Sequence, residues 1–175
     1  MVNIPIPQSW EALYRRWLEG HRESLAAHDW AAAFQGYPWA AGELMPLRSL
    51  GKPLAEARVA VISSAGVSRA DQVPFDAESI WGDASFRIIT PSLKAWQVDH
   101  GHFATEAARL DYNQVLPLDP VVELTAASFI GSVSPEHYSF MGYQPDPRAF
   151  YEDSAPRILE RLRHHQVDAA LMVPG

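Results

Sequence analysis

Residues 58–67 read RVAVISSAGV, a short β-branched apolar run that closes in small residues. Apolarity without alternation predicts a strand buried on both faces, and strands of that kind belong to mainly parallel sheets covered by helices. Later segments extend the pattern. FRIIT (86–90), VLPL (115–118), Phe129–Val133 and VDAALMV (167–173) are short apolar runs bounded by polar or turn-forming residues, each predicted as a strand. Helical stretches alternate with them. Asp119-Pro120 is expected to open a helix over 121–127 with Asp119 as its N-cap. Ser154-Ala155-Pro156 is expected to start another that runs to His165, with Ile158, Leu159 and Leu162 on one face. The fold class that follows is α/β, a mainly parallel, Rossmann-like sheet flanked by helices, whose sites gather beyond the carboxyl ends of the strands. The loops to inspect are then 63–66, 100–113, 132–142 and Pro174-Gly175.

Ahead of this region lies a different kind of sequence. Trp10, Leu13, Tyr14, Trp17 and Leu18 recur at the spacing of an amphipathic helix, and with Ser9 as cap they predict a helix over 9–27. A second short helix is expected over 30–34, after which Gly36, Pro38, Gly42 and Pro46 make the chain irregular. The reading is therefore a helical N-terminal arm (1–50) and an α/β domain (51–175). Trp10, Trp17, Trp30 and Trp39 suit packing or subunit contact better than ligand stacking, so a homodimer through the arm is a candidate.

Composition narrows the function classes. The chain has no apolar run long enough to span a membrane, and its opening MVNIPIPQSW lacks the pattern of a secretory signal, so a cytoplasmic location is expected. A net charge of -7 with dispersed basic residues argues against nucleic acid. The absence of cysteine removes disulfides, thiolate metal sites, iron–sulfur ligation and a thiol nucleophile from these 175 residues.

Read in order, KPLAEARVAVISSAGV, VPFD with WGDASFRIIT, DHGHFATEAARLDYNQVLPLD, FIGSVSPEHYSFMGY and VDAALMVPG resemble the selenoprotein B family of glycine, sarcosine, betaine and D-proline reductases, over residues 52–175. The resemblance implies an oxidoreductase that reductively cleaves a C–N bond of a small amine, amino acid or betaine. It also implies pyruvoyl-containing or carrier subunits as partners. In that family the chain continues past the equivalent of Val173 into a loop bearing selenocysteine, or cysteine in some relatives. The resemblance therefore predicts a chain truncated before that loop and inactive alone, its end explained by a UGA codon read as stop. Selenocysteine is expected in a full-length form, with no cofactor in this chain. A selenol is largely ionised at neutral pH, where a thiol of pKa about 8.5 needs activation.

What this chain would keep is the site's surroundings. Ser63, Ser64 and Gly66 either hold a substrate carboxylate or other anion near a helix start through small side chains and backbone N–H groups, or form a tight strand-to-helix turn. His100 and His102, with Asp111 and Asn113 downstream, either orient substrate and move protons or take a hydrogen-bonded structural role. The resemblance favours the former, with His102 first. An H-x-H pair alone does not make a metal site, and no metal is expected. His137, in SPEHYSFMG, suits an ordered loop that presents one imidazole or buries it, and Glu136 beside it suits either ring orientation or solvent. His164-His165 fit the end of a helix and are left out of the site. The competing reading is a non-catalytic small-molecule-binding or assembly protein of the same fold. The reductase reading expects an open cleft beside Gly175, and the competing one a packed C-terminus. Ser-based hydrolysis is disfavoured because no G-x-S-x-G elbow is present.

Overall fold

The structure, a computed structural model, describes residues 8–39, 49–100 and 105–175. The chain divides into two compact units, 1–48 and 49–175. In the first, α1 (Gln8–Ala26) follows the predicted spacing, and α2 (Trp30–Ala33) is capped by the Asp29 carboxylate, which accepts the Ala32 N–H at 3.2 Å. Trp10, Tyr14, Trp17, Leu25, Ala33 and Tyr37 bury one another. Trp10 stacks on Tyr14 with ring centroids 4.9 Å apart, and Trp17 meets Tyr37 edge-on at 4.8 Å. The aromatic residues of this unit thus form a core of their own.

The second unit is the α/β body. Its elements run β1 (Arg58–Ser63), β2 (Val67–Arg69), β3 (Phe86–Ile89), β4 (Trp96–Val98), α3 (Glu106–Leu110), α4 (Leu118–Ala126), β5 (Ser132–Val133), β6 (His137–Phe140), α5 (Ala155–His164) and β7 (Ala169–Val173). Strand β1 is central and pairs in parallel with β5, β6 and β7, while β3 joins β6 antiparallel at the edge. Strand β7 is in register with Val59 through Ser63 along one edge of β1, so β5 and β6 share the other. An antiparallel ribbon of β2 and β4 lies apart from this sheet.

Alternation along β1 divides the core. Val59 and Val61 face the larger cluster, with Leu116, Leu118, Val121 and Ile130, whereas Ile62 faces Tyr138 and Ile158 of α5. Helical layers therefore cover both sheet faces, as the apolar run at 58–67 implied. Among the described residues no helix is long and apolar enough to cross a membrane.

Three expectations need correction. VLPL is not a strand: Tyr112–Gln114 forms a 3-10 turn and the helix begins at Leu118. Leu116 and Leu118 are fully buried through that turn, which produces the same apolar density as a strand. Asp119 is not the N-cap. It sits in the first turn of α4, where its carboxylate accepts the Tyr112 hydroxyl at 2.6 Å and the Asn113 amide at 2.9 Å. Residues 129–131 close α4 rather than open a strand, because the Phe129 N–H returns to the Leu124 carbonyl, and β5 starts only at Ser132.

Candidate functional site

The carboxyl ends of β1, β6 and β7 converge on one short segment. Ser64 donates its N–H to the Val173 carbonyl and accepts the Gly142 N–H on its own carbonyl at 2.7 Å. The Gly66 N–H reaches the Phe140 carbonyl, and the Gly66 carbonyl accepts the Asp99 N–H at 3.1 Å, continuing the β2–β4 ribbon. Glycine is required at one of these crossings and closely packed at another. At Gly66, where φ is +68°, a Cβ would stand 2.3 Å from the Asp99 carbonyl oxygen, and at Gly142 it would meet the Ser64 side chain and carbonyl at about 3.1 Å.

Ser63, Ser64 and Gly66 thus do come together with a strand end, but the segment leads into β2, not into a helix. The N–H groups of Ser64, Ala65 and Gly66 are all taken, by Val173, the Ser63 hydroxyl and Phe140. Backbone capture of a carboxylate there would have to break the fold's own bonds. The Ser63 hydroxyl is buried and donates to the Val115 carbonyl at 2.7 Å while accepting Ala65 N–H at 3.2 Å, so it ties the strand end to the 112–116 turn. Ser63→Ala is expected to cost about 1–3 kcal/mol by leaving both partners unsatisfied, read as a lower urea midpoint. Ser64 is different: its hydroxyl oxygen accepts the Gly175 N–H at 3.0 Å, and among the described residues it donates to nothing. Its proton is available to a ligand.

His137 is a sequence-legible residue in an unforeseen place. It is 0% exposed, and its Nδ1 accepts the Val61 N–H at 2.9 Å. Even-numbered residues of β1 direct their backbone groups to β7, so Val59 and Val61 face β5 and β6. Ser134 donates to the Val59 carbonyl, the ladder then breaks at Pro135-Glu136, and the imidazole fills the vacant acceptor position opposite Val61. Accepting at Nδ1 places the proton on Nε2, which has no partner among the described residues. Burial lowers its pKa to about 4, so the ring is neutral at physiological pH.

His100 directly follows Asp99, which the Gly66 bridge fixes beside the strand end; His102 lies outside the described residues. Asp99 itself escaped the sequence reading, although the DHGH string placed it next to His100. Burial raises its carboxyl pKa, partly offset by the Phe75 N–H it accepts at 3.3 Å and by Arg109 and Arg87. Asp111 and Asn113 are placed in a closed network. Asp111 accepts the backbone and side-chain N–H groups of Asn113, which also bonds Asp119 in both directions. The hydrogen bond from the Asn113 backbone holds the Asp111 carboxyl below its ordinary value.

Other polar groups lie away from this segment. Glu136 is partly buried and paired rather than simply facing water: it pairs with Arg161, accepts the Tyr138 hydroxyl at 3.1 Å and lies 3.3 Å from His165 Nε2. It shares a cavity of about 440 Å³ with Glu160, Arg161, His164 and His165. A second cavity, about 470 Å³, lies along β3 and includes Phe86, Arg87 and Arg157. Among the described residues no group of three or more metal-ligating side chains comes together.

Residues 35–174 match the sequence pattern of the Glycine/sarcosine/betaine reductase selenoprotein B family. The chain is 32% identical over 126 residues to the D-proline reductase subunit gamma of Acetoanaerobium sticklandii, covering 71% of this chain and 51% of that protein. It therefore spans about half the length of this relative. No solved structure matches. With a family pattern that runs through β1, β6 and β7 and takes in Ser64, Asp99 and His137, the chain belongs to the glycine/sarcosine/betaine reductase selenoprotein B family.

Proposed function

We propose that this chain is the substrate-holding part of a cytoplasmic reductase that cleaves the C–N bond of a small α-amino carboxylate of the glycine, sarcosine, betaine or D-proline type. The observation that carries the reading is the convergence of three parallel strand ends on Ser64, in a chain of this family. In this reading the Ser64 hydroxyl donates to the substrate carboxylate. Asp99 attracts the positively charged nitrogen, which departs with the bonding pair as a neutral amine, and His100 or His102 protonates that amine once the C–N bond is broken. The nucleophile, a selenolate or thiolate that displaces nitrogen from carbon, comes from outside these 175 residues, which hold no cysteine. His137, Ser63, Asp111 and Asn113 enter as structural supports.

Reconstitution with a selenocysteine- or cysteine-bearing reductase component and a dithiol is expected to yield turnover on at least one of the four substrates. Ser64→Ala should then lower kcat/KM by about tenfold, the effect of one hydrogen bond to a charged group. Unchanged kcat/KM in that variant would remove Ser64 from the site. One observation favours a second reading, a non-catalytic binding or assembly protein of the same fold. Gly175 lies close against Ala65, where a Cβ would come within 2.4 Å, the close approach at the C-terminus that this reading expects. Ligand binding without turnover in every reconstitution would select it.

A further inference from the structure

Strand β7 is built like an interior strand and left like an edge. Its register partners Val59 through Ser63 are all buried, whereas Leu171 is 43% and Met172 61% exposed. These two side chains point to opposite faces. Leu171 lies beside Val61, on the face of the larger core, and Met172 beside Ile62, on the face covered by α5. Both covering layers therefore run out under β7. A parallel strand with apolar side chains on both faces is normally covered on both.

The backbone repeats the message. The Ser64 N–H bonds to the Val173 carbonyl, which fixes the phase of the ladder: Ala169, Leu171 and Val173 direct their backbone groups to β1, and Ala170 and Met172 direct theirs away. Among the described residues β7 pairs with β1 alone. The open side carries none of the devices that blunt an edge, no lysine, proline or bulge within AALMV.

We propose that this edge receives a strand, with its covering helix, from a reductase polypeptide equivalent to the part of D-proline reductase subunit gamma outside the match. The match covers 51% of that relative, whose remaining length is enough for another α/β half. Strand addition would satisfy the Ala170 and Met172 backbone groups and bury Leu171 and Met172 on both faces. The proposal rests on family membership but not on turnover.

The test is hydrogen exchange of the 175-residue chain alone and with the unmatched part of A. sticklandii subunit gamma, produced as a separate polypeptide. Addition of that polypeptide is expected to slow exchange at the Ala170 and Met172 amides by on the order of tenfold or more, with little change at Leu171, already bonded to β1. Met172→Lys, at an exposed position, is expected to leave the chain folded and abolish the slowing. Absence of binding overturns the proposal, as does binding that leaves the Ala170 and Met172 amides unprotected. Protection of those amides in the chain alone, accompanied by dimerisation, assigns the edge to a second copy and also overturns it. Failure of turnover with protection intact sinks the reductase reading and leaves the interface standing.

Discussion

Replacing His137 with alanine is expected to destabilise the α/β body by about 3 kcal/mol or more, through an unsatisfied buried Val61 N–H and the cavity left by the ring. His137→Asn is expected to recover part of that loss, because an amide oxygen can stand near the position of Nδ1 and accept the same hydrogen. Urea denaturation of the three proteins checks it: equal losses for alanine and asparagine would mean that the ladder bond contributes little.

The same residue gives a pH signature. Its folded pKa of about 4 lies below the ordinary 6.5, so the unfolded chain binds the proton more readily between those values. The stability that the neutral ring contributes is present above pH 6.5 and is lost as pH falls through 6.5 towards 4, about 3 kcal/mol in all. Carboxylates titrate in the lower part of that window too, so the informative quantity is the difference between wild type and His137→Asn. That difference should shrink as the solution is acidified.

Gly66→Ala is expected to be as damaging. The new methyl would force φ near +68° on a residue with a Cβ and meet the Asp99 carbonyl at 2.3 Å, where both neighbours are backbone. Either the Asp99 N–H bond to Gly66 breaks and the β2–β4 ribbon shifts, or the strand end moves away from Phe140. A loss of about 3 kcal/mol or more is expected, with increased exchange at the Asp99 amide. If the variant keeps wild-type stability, the crossing is looser than described and Asp99 is not held at Gly66 by this contact.

These two residues show where sequence was sufficient and where it was not. The helix over Trp10 to Leu18 and the strand at Arg58 are local patterns: the spacing of Trp10, Tyr14 and Trp17 marks the buried face of the helix, although Leu13 is exposed, and the unbroken apolar run marks a strand covered on both faces. Gly66 was visible as a turn residue, but the reason for glycine, the Asp99 carbonyl, comes from 33 positions further along the chain. His137 was visible as a buried or presented imidazole; its actual partner, Val61, is 76 residues away, across a ladder break that no local pattern records. The VLPL error has the same origin. Val115, Leu116 and Leu118 are buried by a 3-10 turn held through Asp111, Asn113 and Asp119, and hydrophobicity without period does not distinguish that from a strand. For the site, Ser64 was among the residues expected. Asp99 was not, because only its pairing with Gly66 brings it to the strand ends.

In the proposed function this chain holds substrate for a reductive C–N cleavage whose nucleophile lies outside these 175 residues. A product assay with D-proline and a dithiol tests it most directly, since adding two hydrogens across the ring C–N bond gives 5-aminopentanoate, a product separable by mass spectrometry. No product is expected from the chain alone, and product is expected once a selenocysteine- or cysteine-bearing reductase component is added, with turnover reduced by Ser64→Ala. Product from the chain alone would contradict it, as would turnover in the complete mixture that is indifferent to this chain.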